Sequence, residues 1–123
     1  MKAGKKISGG LYHAPRKKKH YEKKGQARIV KLGETRKKIL RTRGGHEKTI
    51  LLSTNIANIL DAKTKSSKTA KIKNVLETPS NRFLARQNVL QKSSLIETEL
   101  GKARITNRPS QEGNVQAILL NEQ

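Results

Sequence analysis

Cysteine and tryptophan are absent from this chain of 123 residues, and the aromatic side chains are reduced to Tyr12, Tyr21 and Phe83. Without cysteine there are no disulfides, no thiolate nucleophiles and no cysteine-ligated zinc. The composition suits a reducing compartment. Proteins that read splayed bases stack them on aromatic platforms worth about 1–3 kcal/mol per base, and three aromatics build little of such a platform. Acidic residues are scarce too, with nine Asp and Glu against 28 Lys and Arg. No apolar run approaches the roughly 20 residues that span a bilayer. The opening Met1-Lys2-Ala3-Gly4-Lys5-Lys6 is basic with no apolar run behind it, so no signal peptide is expected and a cytoplasmic location is.

What the chain has in abundance is positive charge, a formal net +19 with an isoelectric point of about 10.7. A small domain so charged repels itself, which points to a polyanionic partner. Nucleic acid is the first candidate, because Lys and Arg neutralise phosphates and release condensed counterions. An anionic membrane surface is the second, but no amphipathic anchor accompanies the charge. The charge is uneven: residues 1–48 hold 17 Lys and Arg against 3 Glu, a net +14, and residues 49–123 hold 11 against 6 acidic residues, a net +5.

Residues 1–25 contain Gly9-Gly10, Pro15, Arg16-Lys17-Lys18-Lys19-His20 and Lys23-Lys24-Gly25, and after Met1 their only aliphatics larger than Ala are Ile7 and Leu11. Such a segment cannot bury enough surface to offset its ordering entropy. It reads as an extended basic RNA-binding arm, disordered until bound, ahead of a β-barrel domain over residues 26–123.

From residue 26 onward, short apolar runs alternate with turns. Residues 27–32 and 38–43 are strand candidates, separated by Gly33-Glu34-Thr35 and followed by Gly44-Gly45. Residues 49–60 fit a strand with Ile50, Leu52, Thr54, Ile56 and Leu60 on one face, and Leu52, Ile56, Ile59 and Leu60 also fit helical spacing. β-Branched enrichment favours the strand. After a polar loop over 61–68, residues 70–77 read as another strand. Thr78 as N-cap and Pro79 at the first helical position predict a short helix to about residue 87. Residues 93–99 and 102–107 form a hairpin around Leu100-Gly101. Its expected register sets Glu97 against Arg104, Glu99 against Lys102 and Ile96 against Ile105. A turn over 108–113 leads to a last strand over 115–120. With six or seven short strands, one short helix and no βαβ alternation, the fold class is mainly β, a small antiparallel β-barrel.

Catalytic chemistry finds no support. Gly44-Gly45-His46-Glu47-Lys48-Thr49 fails the phosphate-loop pattern because Glu47, not Gly, precedes the lysine, and His46-Glu47 lacks the second His of a zincin helix. His13, His20 and His46 share no ligand spacing, and Asp61 is the only aspartate. Cross-strand ion pairing accounts for Glu97 and Glu99. The chain is expected to be no enzyme and to have no metal, no cofactor and no small-molecule substrate.

Two features stand above plain solubility charge. One is the cluster from Arg16 to Lys24, with further cations nearby that suit a phosphate-binding surface. The other is Arg41-Thr42-Arg43-Gly44-Gly45. Arg41 and Arg43 on one strand point the same way and present two guanidinium forks to phosphate oxygens, or else pair with Glu34 or Glu47. The expected RNA contacts are Lys5, Lys6, Arg16, Lys17, Lys18, Lys19, His20, Lys23, Lys24, Arg28, Arg36, Lys37, Lys38, Arg41 and Arg43. Tyr12 and Tyr21 are placed either to stack on a base or ribose or to pack on the barrel.

The chain also resembles a known family, on Lys5-Lys6-Ile7-Ser8-Gly9-Gly10, Lys19-His20-Tyr21-Glu22, Arg41-Thr42-Arg43-Gly44-Gly45 and Glu77-Thr78-Pro79-Ser80-Asn81-Arg82. The longest match is Ile96-Glu97-Thr98-Glu99-Leu100-Gly101-Lys102-Ala103-Arg104-Ile105-Thr106, followed by Arg108-Pro109 and Gly113-Asn114-Val115-Gln116-Ala117. These segments resemble the archaeal and eukaryotic small-subunit ribosomal protein numbered eight, which is unrelated to bacterial protein eight. The length is similar to that of archaeal members. The resemblance implies an antiparallel barrel with a basic N-terminal extension, a structural role on small-subunit ribosomal RNA, and other small-subunit proteins as partners. The chain departs from the family pattern at Ser110 and Glu112, where Gly and Asp are expected, and at Lys65-Ser66-Ser67-Lys68, which replaces a glycine-containing turn.

Overall fold

Side chains alternate between the two faces of a strand, and four segments between residues 57 and 119 place an alanine two residues before a larger aliphatic. These are Ala57 and Ile59, Ala70 and Ile72, Ala103 and Ile105, and Ala117 and Leu119. The computed structural model, which describes residues 4–13, 16–23, 25 and 27–120, puts all eight in or against a single core cluster. The elements in chain order are β1 (Lys31–Leu32), β2 (Arg36–Arg41), β3 (Glu47–Thr54), β4 (Ile56–Asp61), β5 (Ser66–Glu77), α1 (Arg82–Arg86), β6 (Leu95–Thr98), β7 (Gly101–Ile105) and β8 (Gln116–Leu119). The fold is mainly β with one short α-helix, as expected. Five strands, β4-β5-β6-β7-β8, close the barrel, and the other three form a separate sheet ordered β1-β3-β2.

Within the barrel each strand pairs antiparallel with the next, except where β8 returns to β4, and that pairing is parallel. An odd number of up-and-down strands leaves the first and last pointing the same way, so closure must be parallel. A five-stranded barrel is narrow, and on three of its seams a large inward side chain lies beside an alanine. Ala103 lies between Ile96 of β6 and Leu119 of β8, and Ala117 between Ile105 of β7 and Ile59 of β4.

That size rule corrects the expected hairpin register. The observed pairs are Leu95 with Arg104, Ile96 with Ala103, Glu97 with Lys102 and Thr98 with Gly101. The loop is therefore Glu99-Leu100, and Gly101, at φ +124, closes it instead of sitting inside it. The Thr98 hydroxyl donates to the Gly101 carbonyl at 2.7 Å. The shift preserves which faces are buried, yet it gives Ile96 a small neighbour in place of a second isoleucine.

Two further expectations change for local reasons. The segment 49–60 is not one strand with an even-numbered apolar face. It breaks at Asn55, where the Thr54 hydroxyl accepts the Ile56 N–H at 3.2 Å, and Leu52 is an extra residue against β2. Leu51, Thr54, Ala57 and Ile59 are buried, whereas Leu52, Ile56 and Leu60 are exposed. The apparent helical spacing is this break in phase. Likewise, Thr78 is no N-cap. Its hydroxyl is buried against that of Ser94 at 3.2 Å, and the helix starts three residues later with Asn81 Oδ1 accepting the Phe83 N–H. The helix ends as a Schellman motif: Asn88, at φ +52, donates to Ala85, and Val89 donates to Leu84.

β5 serves two neighbours, with residues 66–71 on β4 and 72–77 on β6. Lys73 and Leu76 are extra residues that bulge and bend it, so its buried positions are 70, 72 and 75. The β4–β5 loop is shorter than expected. Asp61 accepts the Lys63 N–H at 2.9 Å and the Thr64 hydroxyl at 3.0 Å, and these bonds hold its carboxyl below the ordinary carboxylate range. Lys65 takes φ +52 there.

The three-stranded sheet is tied to the barrel. Residues 30–32 exchange backbone hydrogen bonds with 88–90, and Val30 and Leu51 join the barrel's own cluster. Gly113 lies so close to β3 that a Cβ there would meet Thr49 at 2.9 Å.

Two stability measurements check this account. Replacing Ala117→Leu overfills the barrel and is expected to cost about 1–3 kcal/mol in chemical denaturation. Lys65→Gly removes a left-handed penalty of about 1–2 kcal/mol, partly offset by about 0.4–1 kcal/mol of extra unfolded-chain freedom, so the melting temperature should rise.

Candidate nucleic-acid interface

Among the described residues no side chain before Val30 enters the core: each from Gly4 to Ile29 is exposed. Only local bonds shape this segment. Lys5 bridges Leu11, and Lys6 donates to the Gly10 carbonyl at 2.7 Å, in a small hairpin that turns through Gly9 at φ +82. Further on, Arg16 makes a bidentate pair with Glu22 at 2.6 and 2.7 Å, and Glu22 also accepts the Lys19 N–H at 3.1 Å. His20–Glu22 is a single 3-10 turn. Tyr12 and Tyr21 do not pack on the barrel. Each is exposed, with the ammonium of Lys6 or Lys19 within 6 Å of its ring centroid, at 5.7 and 5.9 Å.

The second group of cations lies on β2, an edge strand of the small sheet. Successive side chains on a strand take opposite faces, so the run Arg36-Lys37-Lys38 is divided: Lys37 and Arg41 share one face, Arg36 and Lys38 the other. The strand ends at Arg41, and Arg43 begins a 3-10 turn. The expectation that Arg41 and Arg43 share a strand face is thus corrected. Gly44 and Gly45 both take φ +78, and Thr42 clasps the His46 carbonyl with its N–H at 2.7 Å and its hydroxyl at 2.9 Å. Left-handed φ at two successive positions favours glycine. The loop so closed carries Arg43.

Of the fifteen expected contacts, Lys24 lies outside the described residues. The other fourteen are all exposed. Arg16 is paired with Glu22, and none of the other twelve lysines and arginines in this set forms an ion pair among the described residues. In particular, neither Arg41 nor Arg43 pairs with Glu34 or Glu47. The structure therefore divides the set between the segment 5–23, Arg28, and the two faces and tip of the β2–β3 hairpin.

Two cations that sequence reading did not single out, Lys92 and Arg108, meet Arg28 at a groove of about 570 Å³. No local signal marks them, because the three positions are far apart in the chain. Among the described residues, no three His, Cys, Asp or Glu gather as metal ligands, and no helix is long and apolar enough to cross a membrane.

The Arg16–Glu22 pair sets a pH dependence. Hydrogen bonds from Arg16, and secondarily from the Lys19 N–H, hold the Glu22 carboxyl below its ordinary value. A carboxylate with a lowered pKa contributes stability above its unfolded pKa and loses it as pH falls through the lowered one. The turn over 16–22 should therefore persist at neutral pH and open only in acid. A carboxyl NMR titration of Glu22 is expected to give a midpoint below that of a glutamate in an unstructured peptide, and Arg16→Gln should raise it toward the ordinary value, with the Lys19 N–H bond left in place.

Comparison with known proteins supplies the family. A family profile described as ribosomal protein S8e matches residues 1–120. A small ribosomal subunit protein eS8 from Methanococcus aeolicus is 42% identical over 120 residues, covering 96% of this chain and 93% of the relative. Proteins of the same name from Halorubrum lacusprofundi and Methanocorpusculum labreanum are each 40% identical, over 116 and 119 residues. They cover 94% and 97% of this chain, and 92% and 95% of their own lengths. These relatives are archaeal, and the match takes in both the basic N-terminal segment and the barrel. The chain belongs to the ribosomal protein S8e family, a family of structural ribosomal proteins and not of enzymes.

Proposed function

We propose that this protein is a structural constituent of the small ribosomal subunit that binds and stabilises folded ribosomal RNA, mainly through phosphate and shape contacts. The observation that carries the reading is the set of twelve exposed lysines and arginines that form no ion pair among the described residues, on the N-terminal segment, Arg28 and the β2–β3 hairpin. Such charge is tolerable where phosphates supply the counter-charge. Residues 1–25 act as an arm that orders on RNA, and residues 26–123 act as a rigid barrel domain that anchors it. Its neighbours are other small-subunit ribosomal proteins, and its place is the cytoplasmic ribosome.

In this role Lys5, Lys6, Arg16, Lys17, Lys18, Lys19, His20, Lys23, Lys24, Arg28, Arg36, Lys37, Lys38, Arg41 and Arg43 contact RNA. Arg16 must exchange Glu22 for a phosphate, and the two faces of β2 meet different RNA segments. Charges on an edge strand also block edge-to-edge pairing, which does not account for the charge of the arm.

The test is sedimentation of a cell extract in high salt, followed by equilibrium binding to small-subunit ribosomal RNA. Retention in the small-subunit peak is expected. A protein found only at the top of the gradient, or with DNA, would mark a free-standing nucleic-acid binder instead. With contacts to about 6–10 phosphates, affinity should fall about 10³–10⁵-fold between 50 and 200 mM salt. Replacing Lys17, Lys18 and Lys19 by Gln should lower the log–log salt slope by about one per lysine, with the melting temperature unchanged.

A further inference from the structure

We propose that the groove formed by Arg28, Lys92 and Arg108 is a second RNA site, one that holds a phosphodiester backbone against the barrel. This rests on the reading that the protein binds ribosomal RNA. The three cations come from the segment before Val30, from the turn between α1 and β6, and from the turn between β7 and β8, and they line one groove of about 570 Å³. No carboxylate of a described residue lines it. None of the three forms an ion pair among the described residues.

A second groove of about 650 Å³ shows the contrast. Its lysines, Lys63, Lys73 and Lys102, are interleaved with Glu97 and Glu99, the balanced mixture of an ordinary solvated surface. Three like charges gathered in a cleft repel one another, and the low-dielectric walls focus their field outward. An anion relieves that repulsion.

The groove is built on a firm base. Leu90 and Pro109 are both almost wholly buried at its floor. The Pro109 carbonyl accepts the Leu51 N–H of β3 at 3.4 Å. The turn that carries Arg108 is held on both sides. Asn107 donates to Glu112 at 2.9 Å and to the Asn114 carbonyl at 2.9 Å, while its Oδ1 accepts the Gln116 N–H at 3.0 Å. On the opposite wall Ser93 takes φ +67, a left-handed conformation costly for a non-glycine residue and found disproportionately at functional sites. The hydroxyls of Ser93 and Ser110 line the groove and make no hydrogen bond to a described residue, leaving two neutral donors beside the three cations.

The chemistry selects phosphate over base. No aromatic side chain lines the groove, so a base would find no stacking partner. Two guanidinium forks match phosphate oxygens in bidentate geometry. Arg28 lies three residues after Gly25, where the basic N-terminal segment runs into the core at Val30. Arg28 thus joins the groove to the N-terminal segment along the chain, so that one RNA strand can engage both.

The absence of cysteine makes the test direct. Ser110→Cys offers a single attachment point for iron–EDTA, whose hydroxyl radicals cut nearby riboses, and Lys18→Cys offers the same on the N-terminal segment. Both labelled proteins are bound to full-length small-subunit ribosomal RNA. A short, discrete set of cuts from each is expected. Cuts from Lys18→Cys alone would overturn the groove and leave the RNA-binding reading standing, and cuts from neither would sink both. In parallel, Lys92→Gln with Arg108→Gln should lower the log–log salt slope of binding by about two, while Lys63→Gln with Lys73→Gln leaves it unchanged. An unchanged slope in the first pair, with the folded protein's melting temperature intact, would also overturn the proposal.

Discussion

The width of a five-stranded barrel is the constraint on which the rest of this structure depends. So narrow an interior limits large side chains at adjacent positions, and from β6 through β7 and β8 to β4 the chain answers with alanine beside isoleucine or leucine, while β5 sets Ala70 against Ala57 and Val75 against Ile96. The rule reaches the strand register, since Ile96 finds Ala103 and not Ile105 across the hairpin. It also requires strong coiling, which β5 supplies with two bulges. Closure by an odd number of strands then brings β8 beside β4 in parallel, and the turn before β8 is carried against β3, where Gly113 meets Thr49.

Few charged groups take part in this frame. The core cluster is wholly aliphatic, and its buried polar residues are threonines and a serine that satisfy one another or the backbone. The exposed lysines and arginines of the N-terminal segment and β2 are therefore dispensable to folding in a way that Ile96 or Ala117 is not. Stability and charge are carried by different residues. That division suits a protein whose surface serves a polyanion and whose interior must stay rigid while it does so.

The local groupings within the candidate site were legible before the structure, for a simple reason. A charge run such as Arg16-Lys17-Lys18-Lys19 is local, and nothing in the fold moves its members apart. Arg36-Lys37-Lys38 was legible as a cluster but not as a surface, because a strand sends alternate residues to opposite faces. Arg41 and Arg43 were assigned to one strand face, which the turn at Thr42 denies them. The groove of Arg28, Lys92 and Arg108 left no trace in the sequence, since only the barrel's closure brings those turns together.

Composition, charge distribution and the matched motifs by themselves determined that this is a basic, mainly β protein with one short helix and no cysteine chemistry. Those properties depend on residue identity and near neighbours, and they survive any arrangement of the strands. Tertiary structure alone decided that five strands close and three stand apart, that residues 49–60 change sheets at Asn55, and that Thr78 turns inward to Ser94 instead of capping the helix. Each of these follows from competition for space in one small core. A local preference such as a cap or an alternating face prevails only when the neighbours packed against it leave it room.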